Sequence, residues 1–430
     1  MTSAPVPARR SVPSLARALR HRNYRLFFAG QGTSVVGTWI TRVATSWLVF
    51  RLTHSAVLLG FVAFFGQVPT FLLAPIAGVW VDRLDRYKVL FVTQTLAMLQ
   101  SFALAALALT GVIQVWHILV LQAFQGMINA FDTPSRQSFL IEMVDDPADL
   151  SNAIALNSTM VNAARLIGPA IAGALISSVG EGWCFLIDGV SYLAVIGSLW
   201  LMRVAHEVRE WRDTRVWDEL VAGVRYAGGF PPIRAILLLL TLTSIAGMPY
   251  STLMPVIASD VLHSNALAYG FLMGAVGVGA LIGALHLASR RSVRGLGRLV
   301  PQATLTFGGA LVAFSFSRNI FLSIGLLLFV GIGFMTQMAG SNTLLQTLVR
   351  PEMRGRVMAF YTMAIMGTVP FGALLAGELA ARIGAPHTIL AGGLTCVAGG
   401  LVFLRILPGL REHVRPIYIE RGIIPPTEEP

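Results

Sequence analysis

The chain has 430 residues, 55% of them hydrophobic and only 12% charged, with a net charge of +11. A soluble domain carries about 25% charged residues, so a water-facing all-helical core is excluded. Apolar runs of about 20 residues read instead as bilayer spans. The basic excess does not mark a nucleic-acid binder, because the basic residues gather in alternate loops, the positive-inside pattern of membrane topology.

In chain order, residues 1–22 are Pro- and Arg-rich without the apolar core of a cleavable signal, and are expected to form a cytoplasmic tail. Twelve spans follow, at 24–50, 57–80, 89–110, 115–135, 151–178, 183–201, 233–258, 266–288, 299–316, 320–340, 357–381 and 387–407. Each can cross about 30 Å of hydrocarbon, with tilt. The expected fold is therefore all-α and polytopic, with a six-helix bundle at 23–202, a charged linker at 203–232, a second six-helix bundle at 233–408 and a cytoplasmic tail at 409–430. A helix-like piece at 217–226 is expected to lie along the inner surface. With both termini cytoplasmic, 27 of the 32 Lys and Arg residues face inward and three (Arg51, Arg318 and Arg382) face outward. The other two, Arg42 and Arg165, fall within spans. This asymmetry sets the orientation.

Several chemistries have no residues to carry them. Cys184 and Cys396 both lie in apolar runs and suggest neither a disulfide framework nor a metal site. Lys88 is the single lysine of the chain, which leaves no nucleotide-binding Gly-rich loop ending in Lys. No cofactor is expected, the reading is not that of an enzyme, and energy has to come from an ion gradient, an exchange or downhill flow.

The most informative stretch is the short loop after the second span, Gly78-x-x-x-Asp82-Arg83-x-x-Arg86-x-Lys88. A carboxylate at a helix end can accept hydrogen bonds at the N-terminus of a neighbour, and Arg86 offers a two-pronged partner for an acid. The pattern resembles the signature of the major facilitator superfamily between its second and third helices. That resemblance implies a cytoplasmic gate in which Asp82 faces the start of the eleventh span, near Arg354 and Arg356, while Arg86 meets an acid at the end of the fourth. The fourth span ends with Asp132, with Arg136 one turn later. Asp85 stands where the superfamily usually has glycine.

Further stretches carry the resemblance along the chain. Gly168-Pro169 followed by Gly173 in the fifth span resembles the antiporter motif of exporters, acting through close helix packing. It echoes Met366 to Gly377 in the eleventh span. Gly37-Thr-Trp39-Ile-Thr-Arg42, Ser151-Asn152-Ala-Ile-Ala-Leu-Asn157 and Arg354-Gly-Arg-Val357 are similar to a bacterial branch that includes enterobactin exporters and the third drug:proton antiporter family. The fourth span has Gln122 where drug exporters of the superfamily place a coupling Arg, which implies that Arg42 or Arg165 substitutes for it or that coupling differs.

Charges within spans are costly and face cavities or each other. Counting about 1.5 Å per residue, Arg165 and Asp188 lie at similar depths, with Arg42 nearby. The expectation is an Arg165–Asp188 pair serving coupling or holding the fifth and sixth helices together. Gln31, Trp39, Gln122, Asn129, Asn157 and Gln337 are candidates for lining a central cavity, with ordinary interhelical hydrogen bonding as the alternative. The resulting expectation is a monomeric transporter of the bacterial inner membrane. It would move a small amphipathic molecule, such as a drug or siderophore, outward against a proton gradient, with membrane lipids around it. Import, lysophospholipid flipping and a non-transporting receptor or scaffold are the alternatives.

Overall fold

A computed structural model describes residues 16–81, 84–144, 146–203, 216–290 and 292–425. Among the described residues there are helices and turns but no strand. The helices are α1 (Arg22–Thr53), α2 (Ala56–Val81), α3 (Arg86–Leu109), α4 (Val115–Glu142), α5 (Leu150–Val179) and α6 (Glu181–Leu201). After the linker come α7 (Val216–Gly229), α8 (Pro231–Leu242), α9 (Tyr250–Val256), α10 (Ala266–Ala288), α11 (Leu296–Phe316), α12 (Ile320–Leu348), α13 (Arg354–Thr362), α14 (Val369–Ile383) and α15 (Ala385–Glu420).

Ten of these segments are long and apolar enough to cross a membrane, and the chain is a multi-pass membrane protein. Two long helices, α1 and α4, are not among the ten. Their sequences explain this: Gln31, Thr38, Thr41, Arg42 and Thr45 interrupt α1, and Gln122, Gln125, Asn129 and Asp132 interrupt α4. Helices diluted in this way are the ones whose polar atoms find partners inside the protein instead of facing lipid.

Without a hydrophobic drive between helices in lipid, close packing and small residues hold such a protein together. In the first part of the chain α1 packs on α5 and α6, α3 on α4 and α6, and α2 on α4. In the second, α12 packs on α10 and α11, and α11 on α15. The largest contacts between the parts are α5 with α10 and α2 with α14, with smaller ones from α1 and α2 to α9. Gly173 and Gly377 hold equivalent places in these seams. A Cβ on Gly173 would stand 2.7 Å from the Ala266 carbonyl oxygen, and one on Gly377 would stand 2.7 Å from that of Ala56.

Several element boundaries differ from those expected. The seventh span is two helices, α8 and α9, separated by a π-helical segment at Thr243–Gly247. The eleventh is likewise α13 and α14 around a π-helical segment at Met363–Gly367. Each wider turn precedes a proline, at Pro249 and Pro370, whose missing N–H interrupts the α-helical ladder. The fourth span does not stop near Asp132: α4 carries Pro134 internally and runs on to Glu142. Such prolines are tolerated in membrane helices; beside it the Ser135 hydroxyl donates to the Phe131 carbonyl (2.7 Å).

The end of the molecule where α1 begins also gathers the α4–α5 turn, the end of α6 and the end of α12. Asn23 Nδ2 donates to the Arg203 carbonyl (2.8 Å), and Arg421 donates to the Val349 carbonyl (3.1 Å). We call this the termini face. Part of the expected N-terminal tail is docked on it. A 3₁₀ turn at Arg17–Arg20 sits on the start of α5, with the Ala18 amide donating to Asn152 Oδ1 (2.9 Å). Arg20 and His21 reach the buried Asp149 carboxylate at 2.8 and 3.0 Å. An anion before the first turn of α5 also complements that helix's dipole.

Candidate functional site

The helices meet at a central site formed by α1, α4, α5, α10 and α12. Trp39 on α1 supplies its floor. A Cβ on Gly168 of α5 would stand 2.5 Å from the Trp39 Cβ, so only glycine lets α5 come this close. Arg42 lies over the Trp39 ring with Cζ 4.8 Å from its centroid, and Arg165 approaches the same ring at 5.9 Å. Arg165 is also 5.9 Å from the ring of Phe334 on α12. Arg42 is exposed although it stands deep in α1, so its side chain faces open space between helices. Further along α1, Trp47 stacks on Tyr269 of α10 at 5.9 Å. Gln122 of α4 donates to Thr45 Oγ1 (3.4 Å), one turn beyond Arg42.

Asp188 does not join this group. Among the described ion pairs it has no partner, and the expected Arg165–Asp188 pair is not formed. The reason is that α1 stands between α5 and α6. Equal depth says nothing about which way a side chain points. Asp188 is 2% exposed and faces α1 and α3, with Oδ2 accepting from Thr41 (2.9 Å) and Ser101 (2.9 Å). Its Oδ1 is buried without a hydrogen-bond partner. A Cβ on Gly37 would come within 2.6 Å of that oxygen, so glycine keeps the niche open.

Two of the residues expected to line a cavity are packed instead. Gln31 and Gln337 are 3% and 1% exposed, and each leaves its Oε1 without a partner. Gln337 donates to Thr243 Oγ1 (2.9 Å), tying α12 to the π segment after α8. Asn129 accepts from Gln125 Nε2 (3.1 Å) and is half-buried, as is Asn157.

The gate residues at the termini face divide into separate groups. Asp82 and Arg83 lie outside the described residues. Arg86 pairs with Glu142 at 2.6 Å, so its acid is ten residues beyond Asp132, on the part of α4 that continues past Pro134. Asp132 instead holds α3 and α4 together: it accepts from Gln94 (2.6 Å) and Thr93 (3.1 Å) and pairs with Arg136 (3.1 Å). Asp85 caps α3, accepting from the Tyr87 and Lys88 amides, and Lys88 reaches its carboxylate at 3.7 Å. Arg354 is exposed at the start of α13. Arg356 is half-buried, beside Gly223 of the linker helix α7.

The two seams between the parts are not parallel-sided. Near the opposite face, α5 and α10 touch at Gly173, Ala266 and Gly270, and α2 and α14 touch at Ala56, Gly60, Ala373 and Gly377. Eleven residues is close to three whole turns, so the same stripe can be followed along each helix. Eleven before Leu166 and Ala170, which meet α10, stand Ala155 and Thr159, and eleven beyond Gly270 and Gly274 stand Leu281 and Leu285; all four are exposed. On α13 and its π segment, Ala359, Met363 and Met366 are exposed as well. Contacts between the parts run from the far face to the level of Leu166 against Gly277 and of Phe71 against Gly367, and the exposed residues lie beyond these toward the termini face.

Sequence reasoning missed Glu142, the Thr41 and Ser101 partners of Asp188, Phe334, and the Asp149 dock. Only Glu142 had a signal in the sequence, as the next acid on an uninterrupted helix.

Comparisons with known proteins agree with this architecture. The chain resembles the staphyloferrin A transporter of Staphylococcus aureus, with 27% identity over 88% of this chain and 95% of that protein. It is similar to the multidrug efflux pump Tap of Mycobacterium tuberculosis, with 29% identity over 89% of this chain and 91% of that protein. Among solved structures it superposes on a bacterial homologue of the human lysosomal transporter Spinster, in an inward-facing and unoccupied conformation. That match has a TM-score of 0.65 at 14% identity and covers 97% of this chain and all of that one. A peptide transporter, POT, gives a TM-score of 0.71 at 12% identity over 91% and 95%. The profile of the transmembrane secretion effector family matches residues 14–415. The chain belongs to that family, within the major facilitator superfamily, and is a transporter rather than an enzyme.

Proposed function

We propose that this protein is a proton-coupled exporter of the bacterial inner membrane that moves a small amphipathic molecule by alternating access. In this reading α1 and α4 also cross the membrane and bring the spans to twelve. Residues 23–202 and 233–408 form two six-helix bundles joined by the cytoplasmic linker 203–232, and both termini are cytoplasmic. The observation that carries it is the pair of seams packed from the far face to mid-helix beside a central site, with exposed residues beyond them toward the termini face. With the termini face inside, this is an inward-open state, ready to load from the cytoplasm. The 27-to-3 distribution of basic residues supports that orientation. Efflux proteins among the relatives support the outward direction. One chain contains the whole path, so a monomer suffices, with lipid around it.

Asp188 is the coupling carboxyl in this proposal. It is buried without a cation and keeps one oxygen free to carry a proton, and α1 connects it to the central site. Gain and loss of a proton there changes the hold of Thr41 and Ser101 on α6, and so the seating of α1 against it. Asp82, Arg83 and Arg86 belong to the cytoplasmic gate, which comes together in the outward-open state.

Inside-out vesicles with an imposed pH gradient test the proposal, with staphyloferrin A and a macrolide as first substrates. Accumulation that needs the gradient and disappears with a protonophore is expected. Accumulation only in right-side-out vesicles would make the protein an importer, and movement indifferent to the gradient would rule out antiport.

A further inference from the structure

We infer that the central site selects an amphipathic organic anion, whose carboxylate, phosphate or sulfate group is held jointly by Arg42 and Arg165. This rests on the transporter reading above and names the substrate class of that site.

Both guanidinium groups lie against one ring, that of Trp39, at 4.8 and 5.9 Å. Like charges this close repel, and a cation within a membrane span is costly unless something pairs with it. Among the described residues no carboxylate relieves them. Asp188 is turned away: Thr41 donates to it, and the next residue, Arg42, points about 100° around the helix. Glu181 pairs with Arg51, and Glu378 with Arg382. Asp132 pairs with Arg136. Cation–π contact with Trp39 and Phe334 offsets part of the cost but removes no charge.

A single anionic head group between the two forks supplies the missing charge. Guanidinium binds carboxylate and phosphate oxygens two at a time, which fixes the group's orientation. The aromatic faces of Trp39 and Phe334 receive the apolar body. Phe334 belongs to α12 and the arginines to α1 and α5, so a bound anion draws together helices from both parts of the chain. The same two charges repel cations, so lipophilic ammonium compounds are excluded by charge rather than by shape.

The test uses naphthylacetate, naphthylacetamide and naphthylethylammonium, one ring carrying a negative, a neutral or a positive group. Binding to the purified full chain in detergent is measured by titration calorimetry. Naphthylacetate is expected to bind at least about tenfold more tightly than the amide, with the ammonium compound weakest. Arg42→Gln and Arg165→Gln should each remove about tenfold of that preference while leaving amide binding unchanged, and Arg42→Lys should retain part of it. Arg51→Gln, outside the site, should behave as the unaltered protein, and circular dichroism checks that each variant is folded. Tightest binding by the ammonium compound, an anion preference that survives both glutamine variants, or no binding by any of the three would overturn the inference. Flux of the ammonium compound alone in vesicles would sink the anion site and leave the exporter reading standing. Charge-selective binding without flux of any substrate would do the reverse.

Discussion

On one face of α1, Gly37 and Thr41 close over Asp188 in a niche shared with α3 and α6. On another, Trp39 and Arg42 meet Arg165 in an open, aromatic-lined space. One region holds an acid with no cation and the other holds cations with no acid, at comparable depth on adjacent turns of the same helix. A salt bridge between them would neutralise both and leave neither a proton to exchange nor a charge to offer a ligand. Keeping them on different faces of α1 makes that helix the one element both events act on.

The sharpest way to break this contrast is to remove the acid alone. Asp188→Asn should abolish gradient-driven accumulation in vesicles while leaving substrate exchange at equal pH intact. Loss of both activities would show that Asp188 only holds α1, α3 and α6 together. Gly37→Ala attacks the same niche by shape, because its Cβ would stand 2.6 Å from Asp188 Oδ1. It should cost about 1–3 kcal/mol of stability, read by thermal denaturation in detergent, and most of the pumping rate.

Next come the seams. Gly173→Ala places a Cβ 2.7 Å from a backbone oxygen of α10, whereas a Cβ at Gly197 meets nothing within 4 Å. The first should destabilise the far-face closure by about 1–3 kcal/mol and the second should be close to neutral, within about 0.5 kcal/mol. Labelling of single cysteines at the far face reads the difference, since a weakened seam exposes them. The smallest effect belongs to the Arg86–Glu142 pair. A double-mutant cycle with Arg86→Gln and Glu142→Gln should give a coupling below about 1 kcal/mol, because Glu142 is partly open to solvent.

The fold was largely legible in the sequence because lipid leaves the backbone few choices. Apolar length located the spans, and alternating loop charge ordered them. Close packing at Gly168 and Gly173 was legible too, though not which helices they meet: Gly168 lies against α1, while Gly173 lies against α10. The central site was legible only in part. Residue counting gave the depths of Arg42, Arg165 and Asp188. Their directions depended on α1 lying between α5 and α6, a tertiary fact that no local pattern encodes. Gln31 and Gln337 took the packed alternative rather than the cavity, a choice the sequence left open for a related reason. A polar residue in a span states that it avoids lipid, and it avoids lipid equally well between packed helices or beside a cavity. The acid opposite Arg86 was misplaced because the fourth span was taken to end at Asp132, whereas α4 runs on past Pro134 to Glu142.

The dock of residues 16–21 on the start of α5 has a consequence for the order of assembly. The Ala18 amide and its acceptor Asn152 are 134 residues apart in the chain. At translation rates of about 5–20 residues per second, the partner of the first turn leaves the ribosome on the order of ten seconds after that turn does. Until then Arg17, Arg20 and His21 have no Asp149 to hold them, and α1 waits with its leading end unfastened. Closing the clasp thus records that the first four helices and the start of the fifth have been made and placed, and a fusion joined directly at residue 16 would interfere with biogenesis before it interfered with transport.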